Sequence, residues 1–108
     1  MSKKILIVDD EPDIRELLEM TITNLGYECI CAENFTLGLE YLKKDKFVLC
    51  LTDMRLPDGD GINLVRYIQK AKPELPVAVI TAYGNVEDAV NTLKAGAFDY
   101  VSKPIRLD

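Results

Sequence analysis

The sequence predicts an α/β fold, a doubly wound parallel sheet of five strands with helices on both faces. Short continuous apolar runs fit strands that are buried on both faces of a parallel sheet. The segments between the runs carry apolar residues at the spacing of amphipathic helices. Because the two kinds of segment alternate strictly along the chain, the pattern indicates βαβ units joined by right-handed crossovers.

Five runs predict the strands, and four apolar stripes predict the helices. The strands are expected at Ile5 to Val8, Tyr27 to Cys31, Phe47 to Leu51, Val77 to Ile80 and Phe98 to Val101. The stripes are Ile14, Leu17, Leu18, Ile22 and Leu25; Leu37, Tyr41 and Leu42; Leu64, Val65 and Ile68; and Val86, Ala89, Val90 and Leu93. We expect each stripe to face the sheet.

Composition limits the functions that the chain can have. Its 108 residues make one compact domain, and 48% apolar and 29% charged residues are ordinary for a globular protein. Acidic residues outnumber basic ones by 18 to 13, and no run of Lys and Arg stands out, which argues against direct binding of nucleic acid. The absence of histidine excludes Ser/His/Asp triads, histidine bases and the common zinc sites.

The cysteines and the apolar runs indicate a cytoplasmic protein. Cys29, Cys31 and Cys50 lie in apolar runs and are interpreted as buried, reduced thiols. The first apolar run is too short for a signal peptide, and no run approaches the roughly 20 residues of a membrane span. We therefore expect no secretion and no membrane insertion.

Polar side chains follow four of the predicted strands. They are Asp9-Asp10-Glu11 after the first, Asp53 after the third, Thr81 after the fourth and Lys103 after the fifth. Open α/β sheets bind ligands beyond the carboxyl ends of their strands, where the strand order reverses. If the order is the flavodoxin-like 2-1-3-4-5, the first and third strands are neighbours and their carboxylates meet in one crevice.

Crowded carboxylates need a cation nearby. Two like charges about 5 Å apart repel by roughly 3 kcal/mol at an effective dielectric near 20. Oxygen ligands without His or Cys suit Mg²⁺, and Lys103 supplies a second positive charge. A metal, a lysine, a hydroxyl and a carboxylate are the parts of a phosphoryl-transfer site. Asp53, alone after its strand, is the candidate nucleophile, with Asp9 and Asp10 as a metal-holding pair.

Each of these residues has a simpler explanation. Asp9 and Asp10 could cap the first helix. Asp53 could serve the turn that it opens, Thr81 could be present for its β-propensity, and Lys103 could be a solvated surface lysine. Turn chemistry does not require all of them to lie at one edge of the sheet, so their common position favours a site.

From Ile5 to Pro104 the chain resembles the receiver domains of two-component response regulators. The matching strings are Ile5-Leu6-Ile7-Val8-Asp9-Asp10-Glu11, Asp53-Met54-Arg55-Leu56-Pro57-Asp58-Gly59-Asp60-Gly61, Thr81-Ala82, and Ala95-Gly96-Ala97 through Lys103-Pro104. The resemblance implies that Asp53 accepts a phosphoryl group from the phosphohistidine of a sensor histidine kinase or from a small phosphodonor. It implies a phosphoacceptor that promotes its own phosphotransfer and dephosphorylation, and not a turnover enzyme.

The resemblance also assigns the metal ligands. Mg²⁺ would be bound directly by Asp10, Asp53 and the main-chain carbonyl of Arg55, while Asp9 would act through water. Arg55 and Tyr83 occupy positions that, in the family, tune water access and the lifetime of the phosphoryl group.

The remaining roles implied by the resemblance concern the switch. Thr81 and Lys103 would contact the phosphoryl oxygens. Movement of Thr81 would let Tyr100 rotate inward and remodel the surface of the fourth helix and fifth strand, a population shift between two states. Without the resemblance, the position of Tyr100 favours plain core filling over a switch role. The bond before Pro104 is expected to be cis by resemblance.

Two strings resemble those of receivers in sigma-54-dependent activators, in which an AAA+ ATPase and a DNA-binding module follow: Thr81-Ala82-Tyr83-Gly84 and Ala97-Phe98-Asp99-Tyr100-Val101. Receivers normally carry a fifth helix after the Lys-Pro strand, so we expect residues 1–108 to be a C-terminally truncated receiver with an apolar surface that favours a homodimer. The alternatives are an aspartate-nucleophile phosphatase of the haloacid dehalogenase type, or a nucleotide- or flavin-binding module. The first lacks support because Asp9 and Asp10 are adjacent and not spaced as D-x-D, and the second because no glycine-rich loop follows the first strand.

Overall fold

The computed structural model describes residues 3–82 and 85–103. Its five main strands are β1 (Lys4–Val8), β2 (Glu28–Ala32), β3 (Leu49–Asp53), β4 (Val77–Thr81) and β5 (Asp99–Ser102). They form one parallel sheet in the order β2-β1-β3-β4-β5, as predicted. The four helices of the described residues are α1 (Pro12–Asn24), α2 (Phe35–Lys44), α3 (Gly61–Ala71) and α4 (Val86–Ala95). None of them is long and apolar enough to cross a membrane.

The sheet divides the core into two parts, because alternate residues of each strand point to opposite faces. On one face, Leu6 and Val8 of β1 join a large buried cluster with residues of α2 and α3, such as Leu42 and Leu64. On the other face, a smaller cluster contains Ile5, Ile7, Ile80 and two side chains of α1, which are Leu18 and Ile22. Within residues 3–82 and 85–103, the first face therefore carries the larger buried cluster.

Two of the predicted stripes do not match the buried surface. Of the α1 stripe, Leu17 is 38% exposed, and Leu25, which is the C-cap residue just after the helix, is 70% exposed. In α4 the stripe residues Val86, Val90 and Leu93 are all exposed, and Thr92 is the buried residue of that helix. The reason is the position of α4, which lies against α3 and the edge strand β5 and therefore has little sheet to cover.

The prediction of three buried cysteines is correct only for Cys50, which is fully buried. Cys29 and Cys31 are half-buried because β2 is an edge strand. All three are free thiols. Burial raises the pKa of Cys50 to about 12 and that of Cys31 to about 11, where Glu19 adds its negative charge.

The sequence patterns did not predict the short antiparallel hairpin between β3 and α3. It pairs Arg55–Leu56 with Gly59–Asp60. Its turn consists of Pro57 and Asp58. Hereafter we call residues 55–60 the hairpin.

Candidate functional site

The strand order and register bring the predicted site residues together. Val8 of β1 pairs with Thr52 of β3, so that Asp9 and Asp53 end neighbouring strands side by side. Thr81 ends β4, next to β3, and Lys103 follows β5, whose Ser102 pairs with Thr81. Asp9 and Asp53 are only 2% and 4% exposed, and Thr81 is completely buried. Their convergence at one sheet edge is therefore as predicted.

Lys103 lies at the centre of this edge. Its Nζ is 3.0 Å from Asp9 Oδ2, 3.0 Å from Asp53 Oδ2 and 2.6 Å from Glu11 Oε1. Its side chain is 6% exposed, so the surface-lysine explanation is wrong. Burial opposes the charged form of Lys103, but the hydrogen bonds to Glu11, Asp9 and Asp53 outweigh it and raise the pKa. The ammonium is therefore fixed among the carboxylates.

The carboxylates outnumber this single ammonium. Oxygen atoms of Asp9, Asp10, Glu11 and Asp53 lie within 4.8 Å of one another. Burial raises the pKa of Asp9, and the charge of Asp53 adds to this, against hydrogen bonds from Glu11 and Lys103 that lower it. A set of carboxylate oxygens, two of them exposed and two buried, fits a hard divalent cation such as Mg²⁺, which retains several of its waters.

The explanation of Asp9 and Asp10 as helix caps is wrong. The N-cap of α1 is Glu11, whose side chain makes no capping hydrogen bond, and the helix begins with Pro12. Asp9 Oδ1 instead accepts a hydrogen bond of 2.9 Å from the Glu11 amide, the amide of the N-cap residue itself. The Arg15 guanidinium donates to the Asp9 carbonyl at 2.7 Å. These bonds hold the loop after β1 in place and leave Asp10 exposed at its surface.

The loop after β3 is positioned by a close approach of its backbone. A Cβ atom on Gly61 would lie only 1.9 Å from the Asp53 carbonyl oxygen, so that only glycine fits there. The Gly61 amide also donates to the Met54 carbonyl at 2.6 Å and closes the base of the hairpin. The Arg55 amide reaches Asp53 Oδ1 at 3.4 Å.

A cavity of about 440 Å³ opens beside Asp53. On one side it is lined by Asp10 and Glu11, and on the other by Arg55, Leu56 and Pro57 of the hairpin. The structure therefore brings Arg55 to the predicted metal site, while the role of its carbonyl stays a prediction.

Tyr100, the predicted switch residue, lies in β5 beside Val79 of β4. It is half-buried against the larger core cluster. Its hydroxyl is shielded from solvent and has no hydrogen-bond partner among the described residues. Burial, followed by the negative charge of Asp88, raises its pKa. Tyr83 and Pro104, for which roles were also predicted, lie outside the described residues.

Sequence reasoning did not assign a site role to Glu11. It forms the shortest ion pair of Lys103, although 92 residues separate the two along the chain. The only sequence signal was its place directly after Asp9 and Asp10. Arg15, which donates to the Asp9 carbonyl, gave no signal that distinguishes it from other surface residues.

A 2-1-3-4-5 sheet with buried carboxylates and a buried lysine at the carboxyl ends of its strands defines a protein of the flavodoxin-like fold class. The sequence model described as "Response regulator receiver domain" matches residues 5–108. The chain therefore belongs to the response regulator receiver family of two-component signalling.

Curated relatives agree with this assignment. The chain is 55% identical over 105 residues to the response regulator protein PilR of Pseudomonas aeruginosa, covering 97% of this chain and 24% of PilR. It is 39% identical over 102 residues to the DNA-binding transcriptional regulator NtrC of Proteus hauseri, covering 94% and 22%. The similarity to receivers of sigma-54-dependent activators is confirmed. The chain spans about a quarter of the length of these relatives.

Solved structures are similar over nearly the whole chain. A CheY-like receiver domain from Methanospirillum hungatei superposes with a TM-score of 0.93 at 34% identity, covering 98% of this chain and 85% of that one. The beryllofluoride-activated NtrC4 receiver domain dimer superposes with a TM-score of 0.90 at 33% identity, covering 95% and 85%. A response regulator from Burkholderia pseudomallei, solved with a phosphorylated aspartic acid and a calcium ion, has a TM-score of 0.90 at 27% identity, covering 97% and 62%.

Proposed function

We propose that this receiver domain accepts a phosphoryl group on Asp53. The observation that carries the proposal is the contact of 3.0 Å between Lys103 Nζ and Asp53 Oδ2 inside a cluster of carboxylates. Asp53 is buried but borders an open cavity, so a donor can reach its carboxylate. The phosphorylated aspartic acid of the Burkholderia relative supports the same chemistry.

In the transfer step, an oxygen of the Asp53 carboxylate forms a bond to the phosphorus of the donor. The bond from phosphorus to the donor nitrogen or oxygen breaks, and its electron pair leaves with the donor. Negative charge on the transferring group is stabilised by the ammonium of Lys103, which is fixed before the reaction begins, and by the hydroxyl of Thr81. The product is an aspartyl phosphate.

The carboxylates would contribute to cation binding in two ways, directly or through water. Asp10, Asp53 and the Arg55 carbonyl would hold Mg²⁺ directly, and Asp9 would act through water. When bound, Mg²⁺ neutralises charge on the carboxylates and on the phosphoryl oxygens. Asp9 additionally keeps Lys103 in place through their ion pair of 3.0 Å.

Thr81 and Tyr100 would convert phosphorylation into a change of surface. Thr81 lies at the end of the strand that pairs with the strand of Tyr100, and the Tyr100 hydroxyl is unpaired among the described residues. A move of Thr81 towards the phosphoryl group would favour an inward position of Tyr100. We further propose that Arg55 and Tyr83 tune the lifetime of the phosphoryl group and that Pro104 follows a cis bond.

The partners follow from the family. A sensor histidine kinase would supply the phosphoryl group in the cytoplasm, and an output module, of AAA+ and DNA-binding type, would read the signal to regulate transcription. The receiver itself would not bind nucleic acid. A homodimer is supported by the similar NtrC4 receiver domain, which was solved as a beryllofluoride-activated dimer. A single monomeric species in light scattering at high protein concentration would contradict the dimer.

Intact mass spectrometry tests the phosphoacceptor proposal. The protein is incubated with Mg²⁺ and acetyl phosphate, and we expect a phosphoryl adduct that Asp53→Asn abolishes. Asp60→Asn is the matched control, since it removes an exposed carboxylate from the neighbouring hairpin. A folded wild-type protein without adduct would contradict the proposal. Catalytic turnover of diverse phosphomonoesters would support the phosphatase alternative, which no described contact favours.

A further inference from the structure

The tip of the hairpin is fastened to a distant helix. The Asp58 carboxylate accepts hydrogen bonds from the Phe35 amide at 2.7 Å, the Thr36 amide at 3.0 Å and the Thr36 hydroxyl at 2.6 Å. All three donors belong to the first turn of α2, more than 20 residues earlier in the chain. The Phe35 side chain also lies directly against Gly59, where an added Cβ would come within 3.0 Å of its ring.

The cap of α2 is thereby divided between two segments. The N-cap residue, Asn34, accepts a hydrogen bond from the Leu37 amide at 2.8 Å. Asp58 satisfies the two preceding amides, those of Phe35 and Thr36, which have no partner within the helix. A carboxylate at this end of the helix is also favoured by the helix dipole. Asn34 caps the helix from its own segment, whereas Asp58 ties the hairpin to it.

The segment that Asp58 anchors forms a wall of the acidic cavity. Arg55 and Pro57 line the cavity beside Asp53, and they lie between two points of attachment. One is the base of the hairpin, closed by the bond of 2.6 Å from the Gly61 amide to the Met54 carbonyl. The other is Asp58 at the tip. The hairpin ladder itself contains only two residue pairs, so without Asp58 its tip would be poorly restrained.

We propose that Asp58 is a positioning residue for the phosphoryl-transfer site, an inference that rests on the function proposed above. By anchoring the hairpin to α2, Asp58 holds the Arg55 backbone where it can contribute to cation binding at Asp53. Asp58 does not touch the reacting groups. Loss of the anchor therefore weakens Mg²⁺ binding and slows phosphorylation when Mg²⁺ is limiting, but leaves the step itself intact when Mg²⁺ saturates the site.

The test compares Mg²⁺ titrations of the wild-type protein with those of Asp58→Ala. Each titration is monitored in two ways, by calorimetry and by the rate of adduct formation with acetyl phosphate. We expect the apparent dissociation constant for Mg²⁺ to rise by about tenfold, as for other residues that orient metal ligands indirectly. The rate at saturating Mg²⁺ should stay close to that of wild type. Thr36→Val, which removes only the hydroxyl donor, should shift the constant in the same direction by less.

Two controls separate positioning from other effects. Asn34→Ala removes a cap of α2 but does not release the hairpin, so it should lower stability without shifting the Mg²⁺ constant. Asp60→Ala removes the same charge from the same hairpin, and its side chain makes no capping bond to α3. It should therefore report the purely electrostatic part of the Asp58→Ala shift.

The outcomes distinguish this inference from the function on which it rests. An Asp58→Ala constant equal to that of wild type, or equal shifts in Asn34→Ala or Asp60→Ala, would overturn the positioning role while leaving Asp53 as phosphoacceptor. A wild-type protein that forms no adduct would overturn the phosphoacceptor instead. In that case the calorimetric Mg²⁺ constants, together with amide exchange across residues 55–60, still decide whether Asp58 anchors the hairpin at a cation site.

Discussion

The two acidic loops that form the site are held in place by different forces. The loop after β1, residues 9–11, is held by charge, because Lys103 contacts both Asp9 and Glu11 and Arg15 binds the Asp9 carbonyl. The loop after β3 is held at its base by shape, through the close backbone approach at Gly61, and only its tip is tied by hydrogen bonds to Asp58. We therefore expect the loop after β1 to be disturbed by loss of the Lys103 ammonium. The loop after β3 should instead be disturbed by a methyl group added at Gly61.

The largest loss of stability is expected from Gly61→Ala, a substitution in the loop after β3, which is held by shape. The new Cβ would overlap the Asp53 carbonyl oxygen, a backbone atom that cannot rotate away. We expect the free energy of unfolding to fall by about 3 kcal/mol or more, the upper end for overpacking. The phosphoryl adduct on Asp53 should also be lost or strongly reduced. Urea unfolding and intact mass measure the two effects.

Gly26→Ala is the control for Gly61→Ala. Gly26 has a φ of +96° but open space where a Cβ would stand, and it lies after α1, away from the site. Its substitution should cost about 1–2 kcal/mol through backbone strain alone and leave the adduct unchanged. Equal loss of adduct in both variants would show that Gly61 acts only through global stability.

Lys103→Met removes the positive charge that holds the loop after β1. Methionine keeps the length of the side chain but leaves the buried carboxylates of Asp9 and Asp53 without their ammonium. Removing one partner of a buried ion pair costs about 3–5 kcal/mol, and we expect a loss at the lower end because the carboxylates can bind a divalent cation instead. Accordingly, adding Mg²⁺ should restore more stability to the variant than to wild type.

Lys4→Met provides the comparison for Lys103→Met. Lys4 pairs with Asp45 at 3.6 Å, and both side chains are about one-third exposed. Because exposed ion pairs contribute roughly 0–1 kcal/mol, this variant should be nearly as stable as wild type, with no response to Mg²⁺. A loss for Lys103→Met as small as that for Lys4→Met would contradict the view that charge holds the first loop.

The two loops also differ in how well the sequence predicted them. The charge-held loop was largely predictable, because strand order alone brings Asp9 and Asp53 to one edge, where carboxylates need a cation. The contact of Glu11 with Lys103 was not, since it depends on the side-chain positions of residues 92 positions apart. The sheet order was predictable for a similar reason, as continuous apolar runs report burial on both faces.

The loop after β3 escaped prediction because its constraints are a close contact between backbone atoms at Gly61 and hydrogen bonds from the distant first turn of α2 to Asp58. In the sequence, Gly61 is only the last residue of the string that begins at Asp53, and its approach to the Asp53 carbonyl becomes visible only in the structure. The exposed apolar residues of α4 show the complementary limit. Apolar spacing predicted the helix. Which of its faces is buried depends on the neighbouring elements, and α4 lies beside an edge strand that offers it little sheet surface.

The smallest effect concerns the anchor of the hairpin and its pH dependence. The Thr36 hydroxyl, with the Thr36 and Phe35 amides, holds the pKa of Asp58 below its ordinary value of 3.8. The folded state therefore favours the ionised carboxylate. Its contribution to stability is complete above the unfolded pKa and disappears as the pH falls through the lower folded pKa.

Asp58→Asn should accordingly be less stable than wild type near neutral pH, and the difference should shrink below about pH 4. Urea unfolding of both proteins across this range measures the difference, with Asn34→Ala, which removes an uncharged cap of α2, as a control whose difference from wild type should show no such decline. Because Asp58 is exposed, we expect a small difference in stability. The informative result is the direction in which this difference changes with pH. A difference that stays constant down to the acid limit would mean that the ionised carboxylate does not hold the hairpin, and that the second loop depends on Gly61 alone.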